Sequence, residues 1–539
     1  MKSCIILVLL NGCILSTLNK DAPPSDGGDG DGDGQSAVEA DGSDCDDLDP
    51  TVYAGAPEIC DDGKVNDCVA EPCEAAIACW EETTSENADA SVIVPPNGSG
   101  QEHLRIASAG DLTGDGHRDI LIGSPFHDED GNANVGAAFL VEGPLSGQID
   151  PATDANRLVG ADANVRLGSA IATVGDVNGD GHDDVLVGAL NDSSAGEDAG
   201  AVHVLCRGAD WTGASPGTGV KLLGEAPEDT FGHALAGLGD GNADGLNDFA
   251  IGAWYHDGAS IDNSGAVYLI HGRTGWGEAV HQQVYPIEAV ADAKVYGKST
   301  GDGFGFSMTN AGDTDGDGVD ELLVGAPFED GDARPDAGGA YLVPSDLTGV
   351  HVASDGFVRL TGENQDENAG FAVAGPGDVN ADGYDDLFIG ADSAGPAGEG
   401  AAYLLFGPTQ GRTGLKDAAT TFIGEHPDSR AGFALSGAGD VDGDGLLDLL
   451  VGAKWVDYRT TGVGRTYLIL CPSTGTVYLS DVTSTITGVK GGEELGASVA
   501  GAGDLNNDGL DDLLIAAWGD TDGYNATGGV VHVFHGRSF

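Results

Sequence analysis

Seven short apolar runs recur along the chain without the alternation of a half-exposed strand: residues 120–124 (ILIGS), 185–189 (VLVGA), 249–253 (FAIGA), 322–326 (LLVGA), 387–391 (LFIGA), 449–453 (LLVGA) and 513–517 (LLIAA). Runs of this length without polar interruption predict strands covered on both faces. A short segment with a glycine at its entry precedes most of them: Leu167-Gly168, Phe231-Gly232, Phe304-Gly305, Gly370-Phe371, Gly432-Phe433 and Leu495-Gly496. A third strand follows, as in 265–272 (GAVYLIHG), 400–407 (GAAYLLFG) and 529–536 (GVVHVFHG). A shorter fourth one is seen in 221–224 (KLLG), 358–362 (VRLTG) and 421–424 (TFIG). Four strands per unit, each sheet needing cover on both faces, predict an all-β fold: a seven-bladed β-propeller of four-stranded blades over residues 91–539. An open solenoid is the competing geometry, and units of 62–73 residues are long for one. The seventh unit supplies only three strands, so residues 91–94 are predicted to pair with it and latch the ring.

Between the first and second strand of every unit lies an acidic loop, D-x-[NDT]-x-D-G-x-x-[DE]. Its first position is Asp111, Asp176, Asp240, Asp313, Asp378, Asp440 and Asp504; its third is Thr113, Asn178, Asn242, Asp315, Asn380, Asp442 and Asn506. The fifth is Asp115, Asp180, Asp244, Asp317, Asp382, Asp444 and Asp508, and the ninth Asp119, Asp184, Asp248, Glu321, Asp386, Asp448 and Asp512. Short oxygen-bearing side chains at alternate positions can curl around one hard cation. The seventh position varies freely (His117, His182, Leu246, Val319, Tyr384, Leu446, Leu510), as expected where only a backbone carbonyl serves. The sixth is glycine in all seven, where the turn needs a left-handed residue. Irregular, many-ligand cages suit Ca2+ over Mg2+, so up to seven calcium ions are expected. The four-acid loops at 313 and 440 should bind most tightly and the Thr113 loop least. Solvated acidic turns without metal are the alternative.

The combined pattern FG…GDxNGDGxxDLxIGAP…GAVYL resembles the FG-GAP repeat, the blade of the integrin α-subunit propeller. The resemblance covers residues 91–539 and implies a calcium-binding, non-catalytic adhesion or ligand-binding propeller at a cell surface or secreted. The first copy has lost its FG, and the seventh reads IAAW in place of IGAP.

Charge changes the picture of partners. The chain carries 89 Asp plus Glu against 22 Lys plus Arg, a formal −67, which repels nucleic-acid phosphates. Residues 1–12 read as an export signal, and Leu10-Asn11-Gly12-Cys13 resembles a bacterial lipobox. That resemblance implies lipidation at Cys13 and an outer-membrane or cell-surface lipoprotein; an ordinary secretory signal is the alternative. No later run is long enough to span a bilayer, so membrane contact is expected only through the N-terminal anchor. Residues 13–40 are expected to be a disordered acidic tether, since 21–34 (DAPPSDGGDGDGDG) hold no apolar residue able to nucleate a core. Residues 41–80 resemble an Asp/Cys-rich metal-binding motif of secreted bacterial proteins, through Asp44, Cys45, Asp46, Asp47, Glu58, Cys60, Asp61, Asp67 and Cys68. Cys45, Cys60, Cys68, Cys73 and Cys79 point to two disulfides and a leftover thiol, with thiolate metal binding as the alternative. Cys206 and Cys471 are expected to be isolated buried thiols.

No catalytic signature stands out. Gly297-Lys298-Ser299-Thr300-Gly301 imitates a phosphate loop, but Asp292 stands where its first glycine belongs. The 13 His form no HExxH. In a meander, the turns after the apolar runs lie at the end opposite the acidic loops. There stand Phe126, Trp254, Tyr255, Phe328, Trp455 and Trp518, a candidate face for a protein or glycan ligand; packing between blades is the alternative. The protein is expected to act as a monomer. A polysaccharide-directed enzyme or carbohydrate-binding module is the alternative function.

Overall fold

The seven apolar runs, buried throughout, lie in the second strands of seven sheets, from Asp119–Ser124 to Asp512–Asp520. The computed structural model describes residues 83–94, 103–206, 212–213, 219–258, 261–277, 282–331, 334–409, 412–456, 462–470, 474–520 and 528–537. The expected signal, the tether, the Cys-rich module, Cys13 and Cys471 lie outside them. The described residues belong to one compact unit, Glu82–Ser538, a seven-bladed propeller with almost no helix.

Each blade is a four-stranded antiparallel meander. In the fifth, Ala369–Gly377 pairs with Asp386–Ala391, which pairs with Ala401–Leu405 and then Thr420–Ile423. The latch forms where it was expected: Ala90–Ile93 is the fourth strand of the seventh blade, antiparallel to Gly528–Phe534. Val92 and Val94 are buried there, so closure is sealed by apolar packing as well as backbone bonds.

Each sheet also carries a fifth strand that the meander pattern did not predict. It is donated by the following blade and runs parallel to the fourth strand. Gly475–Tyr478 of blade six joins Thr420–Ile423 of blade five, and Gly147–Ile149 of blade one joins Ala90–Ile93 of blade seven. Blade six receives Thr83–Thr84, so the described strands begin ahead of residue 91. These strands are short and mostly exposed, lacking the apolar period that would mark them in sequence.

The two glycine signatures meet between blades. A methyl group on Gly123, Gly188, Gly252, Gly325, Gly390 or Gly452 would lie 2.1–2.4 Å from the carbonyl oxygen of Gly168, Gly232, Gly305, Gly370, Gly432 or Gly496 of the next blade. The GAP glycine therefore exists because the next blade's FG glycine presses against it. At the seam between blades seven and one, Ala516 takes the place of the first glycine and His103 that of the second. The two irregular copies are thus the two sides of one specialised interface.

Candidate functional site

The acidic loops occupy one end of the propeller, between first and second strands. The first-position carboxylate turns inward and accepts backbone N–H bonds from its own loop. Asp111 accepts from Gly114, Asp115 and Gly116 at 2.6–2.9 Å, and Asp440 accepts from Gly443 and Gly445 at 2.7 and 3.0 Å. The fifth-position carboxylate accepts the seventh-position N–H in every copy, from His117 to Leu510, so that side chain is free to vary. The sixth-position glycine has φ between 84° and 93° in all seven loops. The fourth position is left-handed too, even as Ala243, Ala381 or Asn507.

The ninth position does more than the sequence suggested. Its carboxylate is buried, and one oxygen accepts an N–H near the loop entry, as Asp386 does from Val379 (2.9 Å) and Glu321 from Thr314 (3.0 Å). In several blades the other oxygen accepts an N–H beyond the third strand, as Asp119 does from Gly143 and Asp512 from Gly536. Neighbouring loops are joined as well. Asp385 and Asp511, at position eight, accept the N–H of Asp313 and Asp440 of the preceding blade, both at 2.9 Å.

The donor set fits a cation best in the two loops with four acids. Ligand oxygens of Asp313, Asp315 and Glu321, and of Asp440, Asp442 and Asp448, gather within 4.8 Å of one another. Asp448 Oδ1 is buried without a hydrogen-bond donor. Burial, reinforced by Asp442, Asp444 and Asp440, pushes the Asp448 carboxyl up to about 8. Burial likewise pushes Asp386 up to about 7, with Asp382 and Asp378 adding to it. Such groups call for positive charge beside them. In the Asn178, Asn242, Asn380 and Asn506 loops, the amide instead donates to the fifth-position Asp at 2.9–3.3 Å.

At the other end lies an aromatic arc. Trp254 meets Phe306 (5.2 Å between centroids), Phe306 meets Phe371 (5.1 Å) and Phe371 meets Phe433 (5.1 Å). The arc continues through Trp518 (5.7 Å) to His103, stacked at 4.3 Å, and on to Phe126 at 5.0 Å. It therefore crosses blades three to seven and reaches blade one. Phe328 flanks it beside Trp254, while Tyr255 and Trp455 are 42% and 40% exposed. Trp518 is buried and donates its Nε1–H to the Leu104 carbonyl (3.1 Å), so this ring braces the seam. Sequence reading missed Phe306, Phe371 and Phe433, which follow the entry glycine. Pairing puts Gly370 and Gly432 in register with Gly305, so Phe371 and Phe433 match Phe306 rather than Phe304.

The same end holds basic groups. Lys454 is 8% exposed, with Nζ 3.6 Å from the centroid of Phe433, 4.6 Å from Trp518 and 5.0 Å from Trp455. Arg430 pairs with Asp392 at 2.6 Å and lies over Trp455. Burial lowers Lys454 to about 8 and His103 to about 4, with Arg105 among the charges lowering both.

Comparison with known proteins agrees with this geometry. The FG-GAP repeat matches residues 105–141, 167–205, 304–343, 369–405 and 431–469, the first three strands of blades one, two, four, five and six. Integrin alpha pat-2 of Caenorhabditis briggsae is 30% identical over 354 residues, covering 60% of this chain and 26% of that protein. Integrin alpha-PS2 of Drosophila melanogaster is 34% identical over 179 residues (30% of this chain, 12% of that protein). Human integrin alpha-7 is 37% identical over 155 residues (28% and 12%). The chain thus spans about a quarter or less of the length of these relatives. Repeats, relatives and blade geometry together support a propeller of the FG-GAP/integrin alpha type.

Proposed function

We propose that the protein is a non-catalytic, calcium-braced propeller of adhesion type that binds a protein or glycan ligand on the end opposite its acidic loops. The observation that carries this reading is the aromatic arc with its exposed Tyr255 and Trp455. Flat rings held by their neighbours offer contact area at little entropic cost. Relatives named as integrins favour the same class of function, but a shared fold does not transfer a ligand. Calcium enters as bracing: up to seven ions would neutralise carboxylates that otherwise repel one another and would tie the joined loops together.

Export, with a lipid on Cys13 or by plain secretion, belongs to the same proposal, as do action as a monomer and a metal-binding or disulfide-linked module at 41–80. Among the described residues no helix is long and apolar enough to cross a membrane. The test is binding to immobilised protein and glycan panels in calcium, repeated with Tyr255→Ala and Trp455→Ala. Saturable binding lost in these variants supports the reading, and binding indifferent to them sinks it. Turnover of a bound glycan would favour the polysaccharide-directed enzyme instead.

A further inference from the structure

Acids outnumber bases about fourfold in this chain, and most described bases accordingly find one. Lys221 pairs with Asp192, Arg157 with Glu129, Lys294 with Glu225, Arg359 with Glu329 and Arg465 with Glu425. Around His103, from Lys454 just after blade six's second strand to Arg166 just ahead of blade two's first strand, the rule fails. Arg105, Arg166 and Lys454 have no carboxylate at ion-pair distance and no side-chain hydrogen bond among the described residues; instead they sit on rings. Arg105 lies 5.7 Å from the centroid of Trp518, Arg166 5.1 Å from Phe126, and Lys454 over Phe433 and Trp518. His103 stands between Trp518 and Phe126 and feels all three charges.

Arg105 is the clearest departure. It pairs with Gly123 in the sheet, where the corresponding residues of other blades are Ala234, Ser307, Ala372, Ala434 and Ser498. An arginine therefore stands on an inner strand at a position otherwise held small, and burial alone lowers its pKa. Keeping these cations close around His103, partly desolvated and with counter-charge only at a distance, from Glu494 and Asp392 towards Lys454, costs free energy that contact with the rings repays only in part.

From this juxtaposition we propose that the cluster around His103 is an anion site for a single carboxylate on a flat, ring-shaped carrier. The carboxylate seats against the Arg105 guanidinium with Lys454 and Arg166 flanking it, and the carrier lies along the aromatic arc. A planar guanidinium matches a carboxylate with two parallel hydrogen bonds, while the lysine adds a point charge. One charge is favoured over many. The surrounding surface is so acidic that a polyanion is repelled wherever it extends beyond about 8 Å, the screening length at physiological salt. The inference names the chemistry recognised by the end already read as the ligand-binding one.

The probe is phenylacetate, titrated into the full chain in calcium while tryptophan fluorescence is read, against phenylacetamide, acetate and sulfate. Saturable quenching by phenylacetate, weaker with acetate and absent with the amide, is the expected result. Arg105→Gln should weaken it at least about tenfold, the scale of one charged hydrogen bond. Lys454→Met, which keeps the stem in its cage, should weaken it too, and Arg118→Gln at the loop end should not. Equal response to amide and carboxylate, equal binding of sulfate, or full binding by a folded Arg105→Gln protein would each overturn the proposal. The broader reading fails separately, on the panels with Tyr255→Ala and Trp455→Ala, whatever phenylacetate does.

Discussion

Replacing Gly390 by alanine tests whether the glycine signatures exist for packing between blades. The added methyl would stand 2.2 Å from the Gly432 carbonyl oxygen and 3.1 Å from its carbon. An unstrained carbon–oxygen contact needs about 3.3 Å, so blade six must retreat by about 1 Å or the strand must buckle. The obstacle is backbone, in a sheet held on both sides, so no rotamer change relieves it. Overpacking of this kind costs about 1–3 kcal/mol, and the rigidity of the obstacle puts Gly390→Ala in the upper half of that range. Spread over a propeller of this size, it amounts to a fall of only a few degrees in thermal midpoint, so urea unfolding followed by circular dichroism is the better assay. The expected result is an earlier midpoint with an unchanged slope. A loss below about 0.5 kcal/mol, the level of an ordinary surface substitution, would refute the packing account.

Calcium titration by calorimetry should show the largest loss of affinity in Asp440→Ala and Asp313→Ala and the smallest in Asp111→Ala; equal losses would overturn the ranking. Lys454, lowered to about 8 from its ordinary 10.5 by burial and by Arg430 and Arg105 against Glu494 and Asp392, makes stability pH-dependent. Between those values the unfolded chain holds the proton and the folded one has shed it, so this site's contribution rises with pH across that window. Lys454→Met should therefore stabilise the protein at pH 7, by an amount that shrinks towards pH 10.5; a constant difference in urea midpoint would contradict this. Cys206 is buried and its thiol is pushed up to about 12, so it should resist iodoacetamide in the native protein and react after unfolding, as peptide mass spectrometry would show. Rapid native labelling would disprove it.

Much of the fold was legible because its signals are local and repeated. The apolar runs, the acidic loops and the glycines that pack one blade on the next recur in nearly every copy, and arithmetic on the strands placed the latch at residues 91–94, one residue from the observed Ala90–Ile93. What escaped was relational. The borrowed strands are too short and exposed to carry a period. The position of Phe371 relative to Phe304 becomes clear only once register aligns the glycines. Lys454 stands at the same blade position as Trp254 and Trp518, but a lone lysine carries no local signal of an aromatic cage that two blades build. The odd first and seventh copies were visible as exceptions, but only contact between Ala516 and its neighbours makes them one seam.

The borrowed fifth strand has a consequence for how such a ring can be cut, lengthened or rearranged. Excising the segment from Ala369 to Ile423 would remove one meander and also uncover blade four, whose outer strand Arg412–Gly414 lies inside that segment. The excised piece would leave behind its own outer strand, Gly475–Tyr478. Covalent repeat and spatial sheet are therefore out of phase by one strand, and the phase error runs round the whole circle, ending where Gly147–Ile149 covers the latch. A duplicated or transplanted unit must match two neighbours at once. Sequence identity between repeats can drift, while the number of repeats resists change.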